Sequence, residues 1–427
     1  MTRFALEHPG GAEIIYRYAG HDATEEYSMV HTPSIIINEL PTSEHIGVLD
    51  KSSVTSEWLS QSSGTAVSPF KASEKRPLNA LLNLNDFEEV CTYSLTKKSY
   101  AFISGASNDN ITRDSNKSWW ERIWFRPQVL RNVESVNTRS QILGCDVEIP
   151  IFISPAGLAK TAGQEGELAL SAGAASTGII QCDRSKTQAL IEAVTARGIK
   201  AIFITVDLPV VSKREADEIV ASELSFVSSM SGSKTSGLVK SAGIARNVGS
   251  FINPTFSWED IAWVRKHTHL PILLKGIQCV ADAKKAMSIG CQGIILSNHG
   301  GRALDTAPPP LLTLLELLEC PEIFSAVEVL IDGGIRRGSD VLKALCLGAT
   351  GVGLGRSFMY AVNYGKEGVE HAVNILKDEI QTAMRLCGVT DLSQASPDML
   401  NTAELDYIVR RGGSRHLYTH KVIRARL

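Results

Sequence analysis

The sequence lacks the features that define several classes of protein. No run of eighteen apolar residues occurs, and the most leucine-rich stretch, residues 308–324, is interrupted by Glu316 and Glu319. That stretch therefore predicts a buried helix and no membrane span. The formal net charge is −3, without the basic excess that a nucleic-acid surface requires, so no nucleic-acid partner is expected.

The N-terminus and the cysteines exclude two further features. Residues 1–11 contain no basic flank followed by an apolar segment, so the sequence as written shows no targeting signal and predicts a cytoplasmic protein. The eight cysteines are scattered from Cys91 to Cys387, and none forms a CxxC pair. They indicate reduced thiols packed as small hydrophobic residues, and they support neither a zinc site nor a disulfide framework.

Composition divides the chain into four regions. Residues 1–40 form a compact segment that contains histidine and glycine. Residues 41–79 include a stretch rich in Ser, Thr and Lys, which cannot bury enough apolar surface to fold alone and is interpreted as a linker. Residues 80–400 alternate helical patterns with short β-rich runs and predict the main domain, and residues 401–427 form a C-terminal tail.

Seven short apolar runs, rich in β-branched residues, lie between helical patterns in the main domain. They cover residues 148–156, 178–182, 201–207, 271–277, 293–300, 327–334 and 351–356. Continuous apolar strands separated by helices predict a parallel sheet with helices on its faces. Most runs end in Gly, Asp, Lys or His, as in a (β/α)8 barrel, whose active site lies at the carboxyl ends of its strands. The predicted fold is an α/β barrel of the TIM (β/α)8 type, one strand short.

Two features of this pattern leave alternatives open. An open doubly wound sheet could carry the same strands, although the GxGxxG turn usual after its first strand is absent. Residues 208–255 are long and polar, and inside a barrel such an insertion predicts a mobile loop over the active face, with a structural connection as the alternative.

Charged side chains follow the predicted strands at the ends where an active site would lie. His299 suits a general base, and Arg302 can bind a carboxylate through two parallel hydrogen bonds; a loop histidine beside a surface arginine is the alternative. Lys275 ends an apolar strand and predicts a fixed positive charge that stabilises an anion. Asp207, with Arg214 shortly after it, would stabilise a protonated His299, or it would cap a helix instead.

The last two runs carry glycines and arginines that suit an anion. They read IDGGIRRG at 331–338 and GVGLGR at 351–356, with Arg336 and Arg356 beside the glycines. Glycine lets the backbone approach a ligand closely, and barrels frequently bind phosphate after their last two strands. These loops therefore predict a phosphorylated cofactor.

At this point the chain resembles a known family. The runs SNHGGRALD, LLKGI, FITVDLPVVSKREAD, IDGGIRRGSDVLKALCLGATGVGLGR and SGASND…RIWFRP are similar to those of the FMN-dependent 2-hydroxy-acid oxidases and dehydrogenases. The resemblance covers about residues 80–400. It implies an FMN-dependent enzyme that oxidises an L-2-hydroxy acid, lactate-like in size, to the 2-oxo acid.

The resemblance also implies a role for each candidate residue. His299 would take a proton from the substrate with Asp207 as its partner, Arg302 and Arg214 would hold the substrate carboxylate, and Lys275 would stabilise the anionic reduced flavin. The residues expected to bind FMN are Ser154, Pro155, Ala156, Thr205, Lys275, Ser297, Asp332, Gly333, Gly334, Arg336, Gly355 and Arg356.

The N-terminal segment resembles a cytochrome b5-type haem domain, as in the flavocytochrome b2 branch of the family. It contains HPGG at 8–11, AGHDAT at 19–24 and a second histidine, His31. The resemblance makes His8 and His31 the axial ligands of haem b, in a domain that lacks the thirty-odd residues that the family places before HPGG. It further implies a cytochrome c-like electron acceptor, a homotetramer and the mitochondrial intermembrane space.

The chain departs from the family in two other places. Between the second and third predicted strands, about one strand and one helix of the family are absent, which explains the count of seven. The family's tyrosine pair before SGA reads Ala101-Phe102, and Ala101 cannot donate the hydrogen bond that the first tyrosine gives to the substrate. These departures leave two alternatives: a catalytically impaired or non-catalytic flavin- or phosphate-binding paralogue, and a phosphate-binding barrel enzyme without flavin.

Overall fold

A computed structural model describes Gly47 and residues 75–177, 180–181, 199–220, 244–245 and 252–409. The chain divides into two units, Met1–Glu74 and Lys75–Leu427, and every described residue except Gly47 belongs to the second unit. The predicted haem segment with His8 and His31, most of the linker, most of the 208–255 insertion and residues 410–427 lie outside the described residues.

All seven predicted strands are present and form one parallel sheet. They are β4 (Ile151–Ile153), β5 (Ile180–Gln181), β6 (Ile202–Thr205), β7 (Ile272–Ile277), β8 (Gly293–Leu296), β9 (Glu328–Asp332) and β10 (Gly351–Leu354). The order across the sheet is β5-β4-β10-β9-β8-β7-β6. The first and the last strand of the set in sequence, β4 and β10, are therefore neighbours, as in a barrel, and the doubly wound alternative is wrong.

The ends of this sheet lie where the sequence predicts the missing unit. Among the described residues, β5 pairs with β4 alone and β6 pairs with β7 alone. The second and third strands of the set thus end the curved sheet on either side of the place where the family has its additional strand and helix.

The helices of the main domain lie between the strands and cover them. In chain order they are α1 (Leu84–Ser94), α2 (Lys97–Ser104), α3 (Ile111–Ser118), α4 (Glu167–Thr177), α5 (Glu215–Ile219), α6 (Trp258–Lys266), α7 (Val280–Ser288), α8 (Pro310–Leu317), α9 (Pro321–Ala326), α10 (Gly338–Cys346), α11 (Arg356–Ala361) and α12 (Gly365–Cys387). Local sequence explains several starts: Asn83 and Ser257 form capping boxes with Asp86 and Asp260, which satisfy free backbone N–H groups at the starts of α1 and α6.

The leucine-rich stretch at 308–324 forms two helices and not one, and only the first of them is largely buried, as predicted. Seven of the eight residues of α8 are buried, and Glu316 holds the remaining position. Pro321 at the start of α9 begins a new helix, because proline cannot continue the preceding one. Within the described part of the chain, no helix is both long and apolar enough to span a bilayer.

Successive side chains of a strand point to opposite faces of the sheet, so they pack in two separate apolar cores. Leu273 of β7 packs in a small cluster with Phe152, Ile295 and Leu330, whereas its neighbours Ile272 and Leu274 belong to the main core under the helices. The antiparallel hairpin of β2 (Ser140–Ile142) and β3 (Cys145–Val147) adds Ile142 and Val147 to the small cluster. A further short pair joins β1 (Trp124–Phe125) to β11 (Leu400–Asn401). The small cluster fills the concave side of the sheet and supports the strand ends from below.

Candidate active site

A cavity of about 630 Å³ lies at the carboxyl ends of the strands. That size falls within the range of roughly 300–1,000 Å³ typical of sites for small molecules and cofactors. Thirteen of the residues predicted from sequence line it: Ser154, Pro155, Ala156, Arg214, Lys275, His299, Arg302, Asp332, Gly333, Gly334, Arg336, Gly355 and Arg356. Asp207, Thr205 and Ser297 are absent from the lining and lie directly behind it, on or next to β6 and β8.

His299 and Asp207 form a hydrogen-bonded pair. The distance from His299 Nδ1 to Asp207 Oδ1 is 2.8 Å, and the Asp207 side chain is fully buried. His299 begins a short 3-10 turn, His299–Gly301, with a left-handed backbone at φ +60° that turns its ring toward the carboxylate. A carboxylate partner at Nδ1 makes Nε2 the basic nitrogen and stabilises the imidazolium once a proton arrives. The arrangement is therefore that of an oriented general base.

The helix-cap alternative for Asp207 is wrong. The helix that comes next in the chain, α5, begins at Glu215 and has Arg214 at its N-cap position. Asp207 instead accepts from His299 and lies 3.7 Å from the Lys275 ammonium.

Lys275 is a buried positive charge among two carboxylates and a hydroxyl. Its side chain is 3% exposed, its Nζ donates to Ser297 Oγ at 2.9 Å, and Asp332 Oδ2 lies 3.6 Å away. Strand β7 places Lys275 at this position: in the parallel pairing, Lys275 is the partner of Thr205, the last residue of β6. A fixed cation at this depth can stabilise negative charge that develops on a bound molecule.

Three arginines, Arg214, Arg302 and Arg356, lie close to one another in the cavity. Arg302 donates from one terminal nitrogen to the backbone carbonyls of Phe102, Ile103 and Gly105, and Arg214 donates to the Arg302 carbonyl at 3.1 Å. Enclosure, then the neighbouring arginine charges, hold the pKa of Arg302 well below its usual value. Arg302 is therefore a cavity residue, and the alternative of a surface arginine is wrong.

The other two arginines show the same effect. The pKa of Arg214 is lowered to about 10, mainly by burial; the charge of Asp217 opposes this shift, and the charge of Arg356 adds to it. Burial likewise lowers the pKa of Arg356 to about 10. Cations that repel one another in an enclosed space are stabilised by an anion placed among them. This part of the cavity is electrostatically prepared for carboxylate or phosphate.

The glycine loops leave room for a ligand. A Cβ added to Gly355 would meet only Ser154 Cβ, at 3.9 Å, so packing within the chain does not demand glycine there. Gly334, by contrast, has φ +79°, and a Cβ on it would lie 2.0 Å from the Asn116 carbonyl oxygen. One glycine thus keeps the cavity open, and the other lets the loop after β9 pack against α3.

Several buried polar atoms in or next to the cavity wall have no hydrogen-bond partner among the described residues. They include Asp332 Oδ1 and Arg214 Nε in the lining and Thr205 Oγ1 just behind it. Buried polar atoms are nearly always hydrogen-bonded, so unpaired ones beside a cavity indicate a polar ligand. With the cation at Lys275 and the arginine-rich end, they fit a cofactor that carries a polar ring at one end and a phosphate at the other.

Sequence reasoning missed the residues that the first three helices contribute. Glu88, Tyr100, Phe102 and Arg113 line the cavity, yet each precedes the first barrel strand. Phe102 places its ring 4.9 Å from the Arg302 guanidinium, whereas Ala101 is buried and does not line the cavity. Neither Ala101 nor Phe102 carries a hydroxyl. That Ala101 leaves the substrate without the hydrogen bond of the family's first tyrosine stays a prediction.

An amide pair fixes the SNHGGR loop to the same helices. Asn116 and Asn298 donate to each other's Oδ1 at 2.8 and 2.7 Å, and each is 1% exposed. Asn298 Oδ1 also accepts from Gly301 N, and Gly301 O accepts from Ser107 N at 2.9 Å. The loop that carries His299 is thus held by α3 and the turn before it. Among the described residues, no cluster of side chains could hold a metal ion.

Comparison with known families decides the relationship. A model of the FMN-dependent dehydrogenase family matches residues 91–183 and 179–402. The chain belongs to this family. The two matching stretches overlap at residues 179–183, around β5, which is one end strand of the sheet. A cytochrome b5-like haem/steroid binding model matches residues 1–50. The predicted enzyme class, the FMN cofactor and the haem-type N-terminal segment are thereby confirmed.

Individual relatives agree with the family match. The chain is 36% identical to an L-lactate dehydrogenase (cytochrome) of Wickerhamomyces anomalus, over 95% of this chain and 76% of the relative. It is 34% identical to a peroxisomal (S)-2-hydroxyacid oxidase of Arabidopsis thaliana, over 76% and 98%.

Solved structures extend the likeness to the fold. The recombinant flavin-binding domain of baker's yeast flavocytochrome b2 matches with a TM-score of 0.68 and 35% identity, covering 80% of this chain and 92% of that one. A mandelate oxidase matches with a TM-score of 0.68 and 30% identity, covering 75% and 98%. The predicted barrel type is confirmed by these matches together with the strand order.

Proposed function

We propose that this chain oxidises a small L-2-hydroxy acid, lactate-like in size, to the corresponding 2-oxo acid. The observation that carries the proposal is the His299–Asp207 pair in one cavity with Lys275, Arg302 and Arg214. A general base beside two carboxylate-binding cations matches a substrate that holds its reacting hydroxyl next to a carboxylate. The names of relatives at 34–36% identity support the same substrate class.

FMN, when bound, supplies the two-electron acceptor for the reaction. The residues proposed to hold it are Ser154, Pro155, Ala156, Thr205, Lys275, Ser297, Asp332, Gly333, Gly334, Arg336, Gly355 and Arg356. The unpaired Thr205 Oγ1 and the open position at Gly355 support this assignment. Lys275 supplies the fixed positive charge at the inner end of the cavity, and Arg336 and Arg356 supply it at the outer end.

The protein's own part in the reaction is to bind, orient and deprotonate the substrate. Arg302 and Arg214 bind the carboxylate and set the distance between the reacting carbon and His299. Oxidation removes two electrons and two protons from the substrate. His299 would accept one proton at Nε2, and the two electrons and the other proton would pass to the bound FMN. Asp207 stabilises the resulting imidazolium through the 2.8 Å hydrogen bond at Nδ1.

The proposal extends to the rest of the chain. Residues 1–40 would contribute a haem module in which His8 and His31 would hold haem b, residues 41–79 would link it to the barrel at 80–400, and residues 401–427 would form a tail. The haem would accept electrons from the flavin and pass them to a cytochrome c-like acceptor, in a homotetramer of the mitochondrial intermembrane space. The match to a cytochrome b5-like model and to cytochrome-type lactate dehydrogenases supports this arrangement.

A visible absorption spectrum tests the proposal most directly. The purified chain is recorded with and without L-lactate in the absence of oxygen. Flavin bands that bleach on addition of L-lactate are the expected result, and haem bands that sharpen in step would add internal electron transfer. Bound flavin that no small 2-hydroxy acid bleaches would overturn the catalytic proposal in favour of a flavin-binding paralogue. Phe102, which offers the substrate no hydroxyl, is the observation that favours that second candidate.

A further inference from the structure

One carboxylate in the cavity, next to the proposed phosphate-binding residue Arg336, has no part in the proposed reaction. Glu88 lies on α1, before the barrel begins, and lines the cavity. Its Oε2 pairs with Arg336 at 2.8 Å, and its side chain is 30% exposed. A negative charge beside residues that bind a phosphate needs an explanation, because like charges repel.

Glu88 is anchored from its other side. Tyr360 donates its hydroxyl to Glu88 Oε1 at 3.0 Å, and the tyrosine is completely buried. Burial, and then the charge of Glu88, raise the pKa of Tyr360, so the phenol stays protonated and remains a donor. A buried ring cannot swing away, and the carboxylate is therefore held in place and not free to leave when an anion arrives.

Arg336 is correspondingly fixed by its surroundings. One terminal nitrogen is held by Glu88, the other donates to Ser357 Oγ at 3.4 Å, and the guanidinium lies 5.9 Å from the Tyr360 ring. A guanidinium has five N–H donors, so these two contacts leave others for a ligand. Holding a long side chain in one rotamer before binding removes an entropy cost that binding would otherwise carry.

We propose that Glu88 is a positioning residue, which orients Arg336 for the cofactor's phosphate through the chain Tyr360–Glu88–Arg336. The inference rests on the proposed function, since it assigns a purpose to a contact of the proposed FMN site. It makes cofactor affinity depend on a helix outside the barrel. The competing role for Glu88 is that of a stand-in anion that occupies Arg336 until phosphate displaces it, and the anchoring by Tyr360 argues against that role.

The test compares two ligands that differ only in the phosphate. The flavin is removed from the purified chain, which is then titrated with FMN or with riboflavin while flavin fluorescence is followed. Glu88→Ala is expected to weaken FMN binding about tenfold and to leave riboflavin binding within about twofold, because a charge-assisted contact is lost at the phosphate end alone. Glu88→Gln, which keeps one of the two acceptor oxygens, should recover part of the loss, and Tyr360→Phe should weaken FMN binding less than Glu88→Ala does.

The neighbouring Glu89→Ala is the matched control. Glu89 lies on the same helix, but it is 56% exposed and pairs with Arg76 outside the cavity. It should leave both affinities unchanged. Equal loss of FMN and riboflavin in Glu88→Ala would show a structural role and overturn the inference, and tighter FMN binding would establish the stand-in role instead. If Glu88→Ala does not fold, Tyr360→Phe carries the same comparison.

The outcome also separates this inference from the proposed function. Wild-type chain that binds riboflavin as tightly as FMN would mean that the arginine-rich end does not hold phosphate, and the proposed site itself would fail. If the wild-type chain binds FMN more tightly than riboflavin and Glu88→Ala keeps the same preference, the inference about Glu88 is wrong and the proposed function is unaffected.

Discussion

Strands β7 and β6 are neighbours that contribute to the same cavity, but they differ in how they are held. Every residue of β7 is buried, whereas all four residues of β6 are only half-buried. Each strand end nevertheless carries a residue of the same constellation: Lys275 on β7 and Asp207 just after β6. The edge strand is thus positioned less by its own packing than by its ladder to β7 and by the contacts that Asp207 makes. The proposed catalytic geometry therefore depends on the less buried of the two strands.

The largest expected effect tests whether that edge takes part in the chemistry. His299→Gln should lower the rate of anaerobic flavin reduction by L-lactate about 10³-fold, and Asp207→Asn about 10²-fold, since a positioned general base contributes on that scale. FMN binding should survive both changes. Stopped-flow measurement of flavin bleaching gives the rates. An Asp207→Asn variant as fast as the wild type would remove the edge strand from the mechanism.

The second comparison measures the two strands by stability. Ile204 of β6 and Leu274 of β7 are partners in register, so the same truncation can be made on both sides of one ladder. Leu274→Ala should reduce the free energy of unfolding by about 3 kcal/mol and Ile204→Ala by about 1 kcal/mol, because Leu274 is fully buried. Urea unfolding monitored by circular dichroism reports both values. Equal losses of unfolding free energy in the two variants would show that Ile204 is as deeply buried in solution as Leu274.

A glycine beneath Asp207 gives the third comparison. Gly276 has φ +113°, and a Cβ on it would lie 2.4 Å from Asp207 Cβ. Gly276→Ala should therefore strain the backbone and displace Asp207. We expect the free energy of unfolding to fall by about 2 kcal/mol and the turnover rate to fall about tenfold.

Gly290→Ala is the matched control for that change. Gly290 also has a left-handed backbone, at φ +79°, but nothing lies within 4 Å of its added Cβ. Gly290→Ala should lower the free energy of unfolding by about 1 kcal/mol and leave the turnover rate unchanged. Steady-state kinetics and thermal unfolding distinguish strain alone from strain with displacement.

The smallest expected effect concerns the ring beside Arg302. Phe102→Leu removes an aromatic face 4.9 Å from the guanidinium, and we expect KM for the 2-hydroxy acid to rise about fivefold with kcat little changed. Phe125→Leu is the control, because Phe125 lies similarly near Lys343, at 5.6 Å, but does not line the cavity. A fall in kcat for Phe102→Leu, with KM constant, would mean that the ring acts on the reacting centre and not on substrate binding.

The barrel and much of its site could be predicted from the sequence. Continuous apolar runs identify all seven strands. Because parallel strands align their carboxyl ends, the sequence predicts that Lys275, His299 and Asp332 lie at one edge of the sheet. Residues immediately after a strand are located by the strand itself. That is why the His299–Asp207 pair, 92 residues apart in sequence, was predictable.

The contributions of the first three helices could not be predicted in the same way. Glu88 reaches Arg336 and Asn116 reaches Asn298 across tertiary packing that no local pattern specifies. Helix rotation explains why Phe102 was missed as a lining residue: one position along a helix turns a side chain by about 100°, and the sequence alone does not fix which side chain of α2 faces the cavity.

The reciprocal amide pair between Asn116 and Asn298 has a consequence for the order of events in folding. Its partners are 182 residues apart, so the chain must close most of the barrel before either amide finds the other. The loop that carries His299 is then among the last parts to be fixed. In refolding from urea, the far-ultraviolet circular dichroism should recover before flavin affinity does; simultaneous recovery would show that the loop forms with the sheet. With that order of events, the fold and the site would be regained in two separate steps.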